Sequence, residues 1–382
     1  MQPKKPDKYP RYVPALDGLR GVAILMVILW HYFDFLRSCF PGWEGVDLFF
    51  VLSGYLITGR LQETKGLPRY FSRFYRNRAL RILPLYLILV LFYLAVVHLF
   101  VRKVHLPFTA VYFDHWKSFF LFTDNWTFIF FGIPKDLSLV PLWSVAVEVQ
   151  FYLVWPVLVF LTTANYRMKL LPVLITVILL GRTIAWLLNH LPNESIYYNS
   201  FFRLDCFCIG ALLYQVHHSK IDLPLRWVKR AALLLLAIQV FGMLATKSVS
   251  PFTSFFPLGG YTVCALLFAS LLHLATQPGN HLFIRLLQQP FLRRCGKISY
   301  GLYLVHVPIL LNIGPRLSFL WRPFWSPENP IIPWLSVCIC LALSFLISML
   351  SYRYFESRFL RLKNPAAAGT KSRQAKKATF EP

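Results

Sequence analysis

The chain has 382 residues, 57% of them hydrophobic and 17% aromatic, with a mean hydropathy of +0.52 and a formal net charge of +24. A water-soluble fold of this length has no interior for so much apolar surface, whereas membrane spans of about 20 residues would absorb more than half the chain. The charge alone would suit a nucleic-acid binder, but the basic residues cluster in alternate loops, so nucleic acid is not expected as a partner.

Apolar runs between polar or Pro/Gly breaks predict ten spans, near residues 16–36, 46–62, 80–101, 142–163, 170–189, 199–216, 230–246, 256–276, 298–314 and 332–354. The N-terminal tail has no short apolar run ending in a small-residue cleavage site, so the first span reads as a retained anchor. Of the Lys and Arg residues, 30 fall on the tails and even-numbered loops and 8 on the opposite loops, which puts both termini in the cytoplasm. The expected architecture is an all-α polytopic membrane protein of ten transmembrane helices. It has a cytoplasmic N-terminal tail (1–15), a membrane domain (16–359) and a basic cytoplasmic C-terminal tail (360–382). The long segment from about 103 to 140 reads as a polar loop. Seven cysteines are scattered without metal-ligand spacing, and no metal is expected.

The first span, PALDGLRGVAILMVILWHY, carries Arg20 and His31. Eleven residues are about three helical turns and a rise of about 16 Å, so the two share a face, with Arg20 at the cytoplasmic surface and His31 near mid-bilayer. Asp17 stands one turn before Arg20 and can fix its guanidinium. An ionisable residue that deep in lipid is a functional candidate, and an imidazole suits general-base work. In the fourth span, PLWSVAVEVQFYLVWP, Glu148 is the expected partner of His31, able to hold its tautomer, with Ser144 one turn earlier.

The second loop, RYFSRFYRNRALRILPLY, places Arg78 and Arg81 three apart on one side of the third span. Guanidinium forks suit phosphates, and with Arg20 on the same surface they point to a phosphate-rich cosubstrate. Candidates to hold a polar acceptor are Ser144, Asp47 at the outer end of the second span, and His306 on a face with Tyr303 and Ser299. Arg203 and Asp205 read as an internal ion pair at the edge of the sixth span. His190, His217, His218 and His281 fall in loops with no expected chemistry.

Together these segments resemble the membrane acyltransferase 3 family, which includes the O-acetylases of bacterial surface glycans. RGVAILMVILWH is similar to its R-x10-H signature and RALRILPLY to its R-x-x-R element. GVDLFFVLSGYLIT, LWSVAVEVQFYLVWP, FRLDCFCIGA and SYGLYLVHVPIL are similar to further blocks in the family's order, over about residues 14 to 359. The resemblance implies an integral O-acyltransferase of a bacterial inner (cytoplasmic) membrane. It would move an acyl group, acetyl being the commonest, from cytoplasmic acyl-CoA to a hydroxyl of a cell-surface or exported glycan or lipid-linked glycan.

On that reading Arg20, Arg78 and Arg81 bind the acyl-CoA, a cosubstrate in place of any tightly bound cofactor. The pantetheine arm runs along the Arg20–His31 stripe. His31, oriented by Glu148, either deprotonates the acceptor or carries the acyl group. Many members read Glu-Glu-Gln where this chain has Glu148-Val149-Gln150, so a second carboxylate's task is unfilled or done elsewhere. Larger relatives append a helix and a periplasmic esterase-like domain, so this chain is expected to complete transfer alone or with a separate periplasmic partner, surrounded by membrane lipids. The rival reading is a multi-pass transporter of an acidic or phosphorylated solute, for which broken spans and inverted repeats are the sign.

Overall fold

The computed structural model describes residues 13–100, 112, 114–189, 192–279, 282–320 and 331–363. The outer parts of both basic tails, and His190 and His281, lie outside these. Every regular element among the described residues is helical. Among the described residues ten long helices follow in order: α1 (Pro14–Tyr32), α2 (Gly45–Thr64), α3 (Tyr70–Phe100), α4 (Leu142–Leu161), α5 (Ala164–Asn189), α6 (Ser200–His217), α7 (Leu225–Ala245), α8 (Tyr261–Thr276), α9 (Pro290–Leu320) and α10 (Ile331–Ser351). Each overlaps one of the ten apolar segments of the sequence, with α3 and α9 beginning ten and eight residues before the expected spans.

Eight of the ten are long and apolar enough to cross a membrane, all but α2 and α6. The exceptions carry Asp47, Arg203 and Asp205, which lower their hydropathy, and both are largely buried in the middle of the bundle. There α6 packs against α2, α5 and α8, while α1 packs against α9 and α2. The rim is the reverse. Only 11% of the apolar window of α5 is buried, against 61% for α9. The exposed side of α5 is Val173, Val177, Leu180, Ile184 and Leu187, a surface suited to hydrocarbon and not to water.

Two helix crossings are made at backbone distance. A Cβ added to Gly296 of α9 would lie 1.8 Å from the Asp17 carbonyl oxygen, and one on Gly21 would lie 2.1 Å from that of Leu292. Where α2 crosses α6, a Cβ on Gly54 would meet the Phe207 oxygen at 2.1 Å, and one on Gly210 the Val51 oxygen at 2.0 Å. Small residues at such crossings let membrane helices gain dispersion contact that larger side chains would block.

Helix α1 begins with Pro14 in its first turn, where a missing N–H costs nothing. It stops at Tyr32, inside the bundle. Arg37 caps the end, its Nε donating to the Trp30 oxygen (2.9 Å) and its Nη2 to that of His31 (3.0 Å). The Tyr32 hydroxyl reaches Ser344 Oγ (2.7 Å) and the His306 carbonyl (3.0 Å), so His31 sits level with the middle of α9 and α10. The expected polar loop is partly folded, with short helices at Trp116–Leu121 and Asp124–Phe131. Gln150 of α4 clamps it, donating to the Phe122 oxygen (2.6 Å) and Asn125 Oδ1 (2.9 Å).

Gly210→Leu forces a side chain into a backbone carbonyl and is expected to destabilise by about 1–3 kcal/mol or more. The thermal midpoint of detergent-solubilised protein, followed by tryptophan fluorescence, then falls by several degrees. Gly181→Leu, where nothing lies within 4 Å of the added Cβ, leaves it unchanged.

Candidate active site

Between α1, α2, α3, α4 and α9 lies a cavity of about 200 Å³. Arg20, Arg78 and Arg81 line it, as do Ser53, Ser144, Glu148, Tyr152, Tyr300 and Tyr303. Three guanidiniums therefore face one carboxylate. Arg20 Nη1 donates to Asp17 Oδ1 at 3.0 Å, as the spacing predicts. The Arg78 guanidinium lies over the rings of Phe74 (5.8 Å) and Tyr152 (5.7 Å), which orient it without neutralising it. Glu148 Oε1 accepts from Ser53 Oγ (2.5 Å) and from the Tyr152 hydroxyl. The surplus of positive charge in a confined space fits a polyanion such as a pyrophosphate.

At its other end the cavity is walled by Ser144 and Tyr303, whose hydroxyls lie 2.6 Å apart, with the Pro141 carbonyl 2.9 Å from the Tyr303 oxygen. Next to Tyr303 comes His306, with ring centroids 5.6 Å apart, and then His31, edge-on to His306 at 4.9 Å. His306 Nδ1 lies 2.7 Å from the Tyr303 carbonyl oxygen, and His31 Nδ1 lies 2.8 Å from that of Val27. A carbonyl only accepts, so each Nδ1 carries a proton, and in its neutral form each ring presents Nε2 as a lone pair. His306 is fully buried, and its Nε2 has no hydrogen-bond partner among the described residues.

The three arginines, Ser144 and Glu148 are thus brought together, and His31 and His306 form a second group beside them. Four expectations are corrected. Glu148 does not orient His31, because Val27 already holds the imidazole and the carboxylate is engaged by Ser53 and Tyr152. Asp47 does not line the cavity: it is fully buried in an ion pair with Arg203, whose guanidinium lies 4.1 Å over the Tyr261 ring. Nor does Arg203 pair with Asp205. Residues two apart on a helix point about 160° away from each other. Asp205 instead meets Arg182 at 2.9 Å and Thr262 Oγ1 at 2.6 Å. His217 also departs from the loop reading. It is buried in the last turn of α6, 2.8 Å from His273 and 3.0 Å from the Tyr55 hydroxyl.

Ser53, Tyr152 and Tyr300 were not picked out from the sequence as site residues. Tyr152 had a local signal, since i and i+4 share a helix face and Glu148 stands at i. Ser53 had none, because its approach to Glu148 depends on how α2 meets α4.

Residues 13–353 match the acyltransferase domain family. The chain belongs to that family. It is 32% identical over 378 residues to a peptidoglycan O-acetyltransferase of Listeria monocytogenes, OatA, covering 93% of this chain and 57% of the relative. It is 31% identical to a putative peptidoglycan O-acetyltransferase of Bacillus subtilis, YrhL, covering 88% of this chain and 54% of that one. An O-acetyltransferase of Staphylococcus aureus, also OatA, is 27% identical over 91% of this chain and 57% of its own length. The acyltransferase chain described here therefore spans a little over half the length of these relatives. No solved structure matches it.

Asp47→Ala leaves Arg203 buried without its partner and is expected to cost about 3–5 kcal/mol, read as loss of folded protein in detergent. Asp47→Leu combined with Arg203→Met, which removes both charges, restores most of it. A residue needed only to touch substrate would not be rescued in this way.

Proposed function

We propose that this protein is a membrane O-acetyltransferase that carries acetyl from cytoplasmic acetyl-CoA to a hydroxyl of cell-wall peptidoglycan. One observation carries the reading: a cavity lined by three guanidiniums stops at Tyr303, beyond which His306 and then His31 stand in line, the buried His306 Nε2 having no hydrogen-bond partner among the described residues. The acetyltransferase relatives support the group transferred and the class of acceptor. In the proposed topology all ten long helices span a bacterial cytoplasmic membrane with both termini inside. Helices α2 and α6 are included because their charges pair within the bundle.

The CoA pyrophosphate lies on Arg20, Arg78 and Arg81, and the pantetheine arm fills the cavity toward Tyr303. Transfer requires the Ser144–Tyr303 wall to open, bringing the thioester to His31. His31 Nε2 takes the acceptor's hydroxyl proton as that oxygen attacks the thioester carbonyl; the C–S bond breaks, and the proton passes to the departing thiolate. Glu148 accepts hydrogen bonds and sets the charge balance among the arginines without touching the reacting atoms.

His31→Ala is expected to abolish acetyl-CoA-dependent acetylation of a soluble peptidoglycan fragment by isolated membranes, a loss of about a hundredfold or more, while the protein remains folded and inserted. Activity near that of the unaltered protein would overturn the assignment. Arg81→Gln is expected to raise the KM for acetyl-CoA about tenfold with a smaller effect on kcat, because it removes a charge-assisted contact made equally in ground and transition states.

A further inference from the structure

A second cavity, of about 150 Å³, shares Arg78 with the first. Arg60, Arg73, Arg78 and Lys363 line it, with Asn77 and Thr64. Four cations meet there with no carboxylate in the lining; Glu63, which pairs with the Arg60 guanidinium at 3.1 Å, stands outside it. Two buried polar atoms on this wall, Arg78 Nε and Asn77 Oδ1, have no hydrogen-bond partner among the described residues. Like-charged side chains are not gathered around a shared space without cost, so the lining is suited to an anion.

The neighbouring hollow on the other flank is different. It shares Arg20 and Arg81 with the main cavity, but Asp17 and Glu356 also face it. A phosphate there would meet two carboxylates. Only the Arg60–Arg73–Lys363 side has the charge for a dianion, and Arg78 is a wall common to it and the main cavity.

Building on the acetyl-CoA reading above, we propose that this second cavity binds a phosphomonoester dianion, the 3′-phosphate of the CoA ribose. Arg78 then lies between the pyrophosphate on one side and the 3′-phosphate on the other. Lys363 adds a pH signature. Burial, with Arg81 and Arg78 close by, holds its ammonium down to about 7. The groups facing it are Arg60, Arg73, Arg78 and Tyr70 from the cavity wall and Arg81 from the far side. Below pH 7 the ammonium is already charged and ready for a dianion. Above it, Lys363 of the free protein has lost its proton, so binding the phosphate must take one up and affinity falls as pH rises.

The test is calorimetric binding of CoA and of dephospho-CoA, which lacks only the 3′-phosphate, to the full chain in phosphatidylcholine nanodiscs. CoA is expected to bind about tenfold or more tightly than dephospho-CoA. Arg73→Gln and Lys363→Gln are expected to weaken CoA and bring the two ligands together, while dephospho-CoA binding serves as the check that each variant is folded. Lys363→Arg keeps the preference, and it flattens the decline in CoA affinity expected for the unaltered protein between pH 7 and 9.

Equal affinities for the two ligands in the unaltered protein would overturn the assignment, as would a preference that both glutamine variants retain. Equal affinities that become phosphatidylglycerol-dependent through Arg73 and Lys363 would give the cavity to a lipid phosphate instead. Failure of both ligands to bind would remove the acetyl-CoA reading itself, an outcome distinct from the others.

Discussion

Four charges taken wholly out of water hold the centre of this bundle. A lone arginine or aspartate at such depth carries a penalty of several kcal/mol, and only a facing partner offsets it. Asp47 therefore fixes α2 against α6 through Arg203, and Asp205 fixes α6 against α5 and α8 through Arg182 and Thr262. The glycine crossing of α2 and α6 completes the register, since neither helix can slide without driving a carbonyl into its neighbour. Six residues beyond Asp47, about 120° round the helix, Ser53 is thereby delivered to the cavity and to Glu148. The site's geometry is thus inherited from ion pairs that take no part in it.

The cavity itself is organised as a gradient of character. Its arginine end carries uncompensated positive charge, with aromatic faces in place of carboxylates as partners for Arg78. Its other end is neutral and hydroxyl-lined, and the imidazoles beyond are held by main-chain carbonyls. A polyanion with a long neutral arm matches that order, whereas a small acidic solute would find charge at one end and nothing to receive it at the other. The helices that line it are continuous at this depth, apart from the early stop of α1, so the structure offers no support for the transporter reading.

Local rules made much of this legible. The ten helices were readable because each apolar run is long and closed by polar or Pro/Gly breaks. The Asp17–Arg20 contact and the shared direction of Arg78 and Arg81 needed only helical spacing. Partnerships between distant segments were beyond reach. Glu148 and His31 are both half-buried titratable groups, and rarity alone made them look like partners, yet each finds a hydrogen-bond partner nearer home. Topology charges also hid local tasks: Lys65 and Arg167, counted only for orientation, both cap the end of α4 by donating to the Thr162 carbonyl (2.7 and 2.6 Å). Lys363 likewise read as one of many basic tail residues until the fold set it beside Arg78.

The bare glycine contact between α1 and α9 has a consequence for how the protein lives in lipid. Because the backbones themselves touch, the spacing of the two imidazoles is set by main chain and not by compressible side chains. A thicker or thinner bilayer is then met at the lipid-facing rim, by tilting of outer helices such as α7 and α10, whose apolar windows are only 22% buried. Membranes of different composition would deform the periphery and leave the α1–α9 contact at constant dimensions.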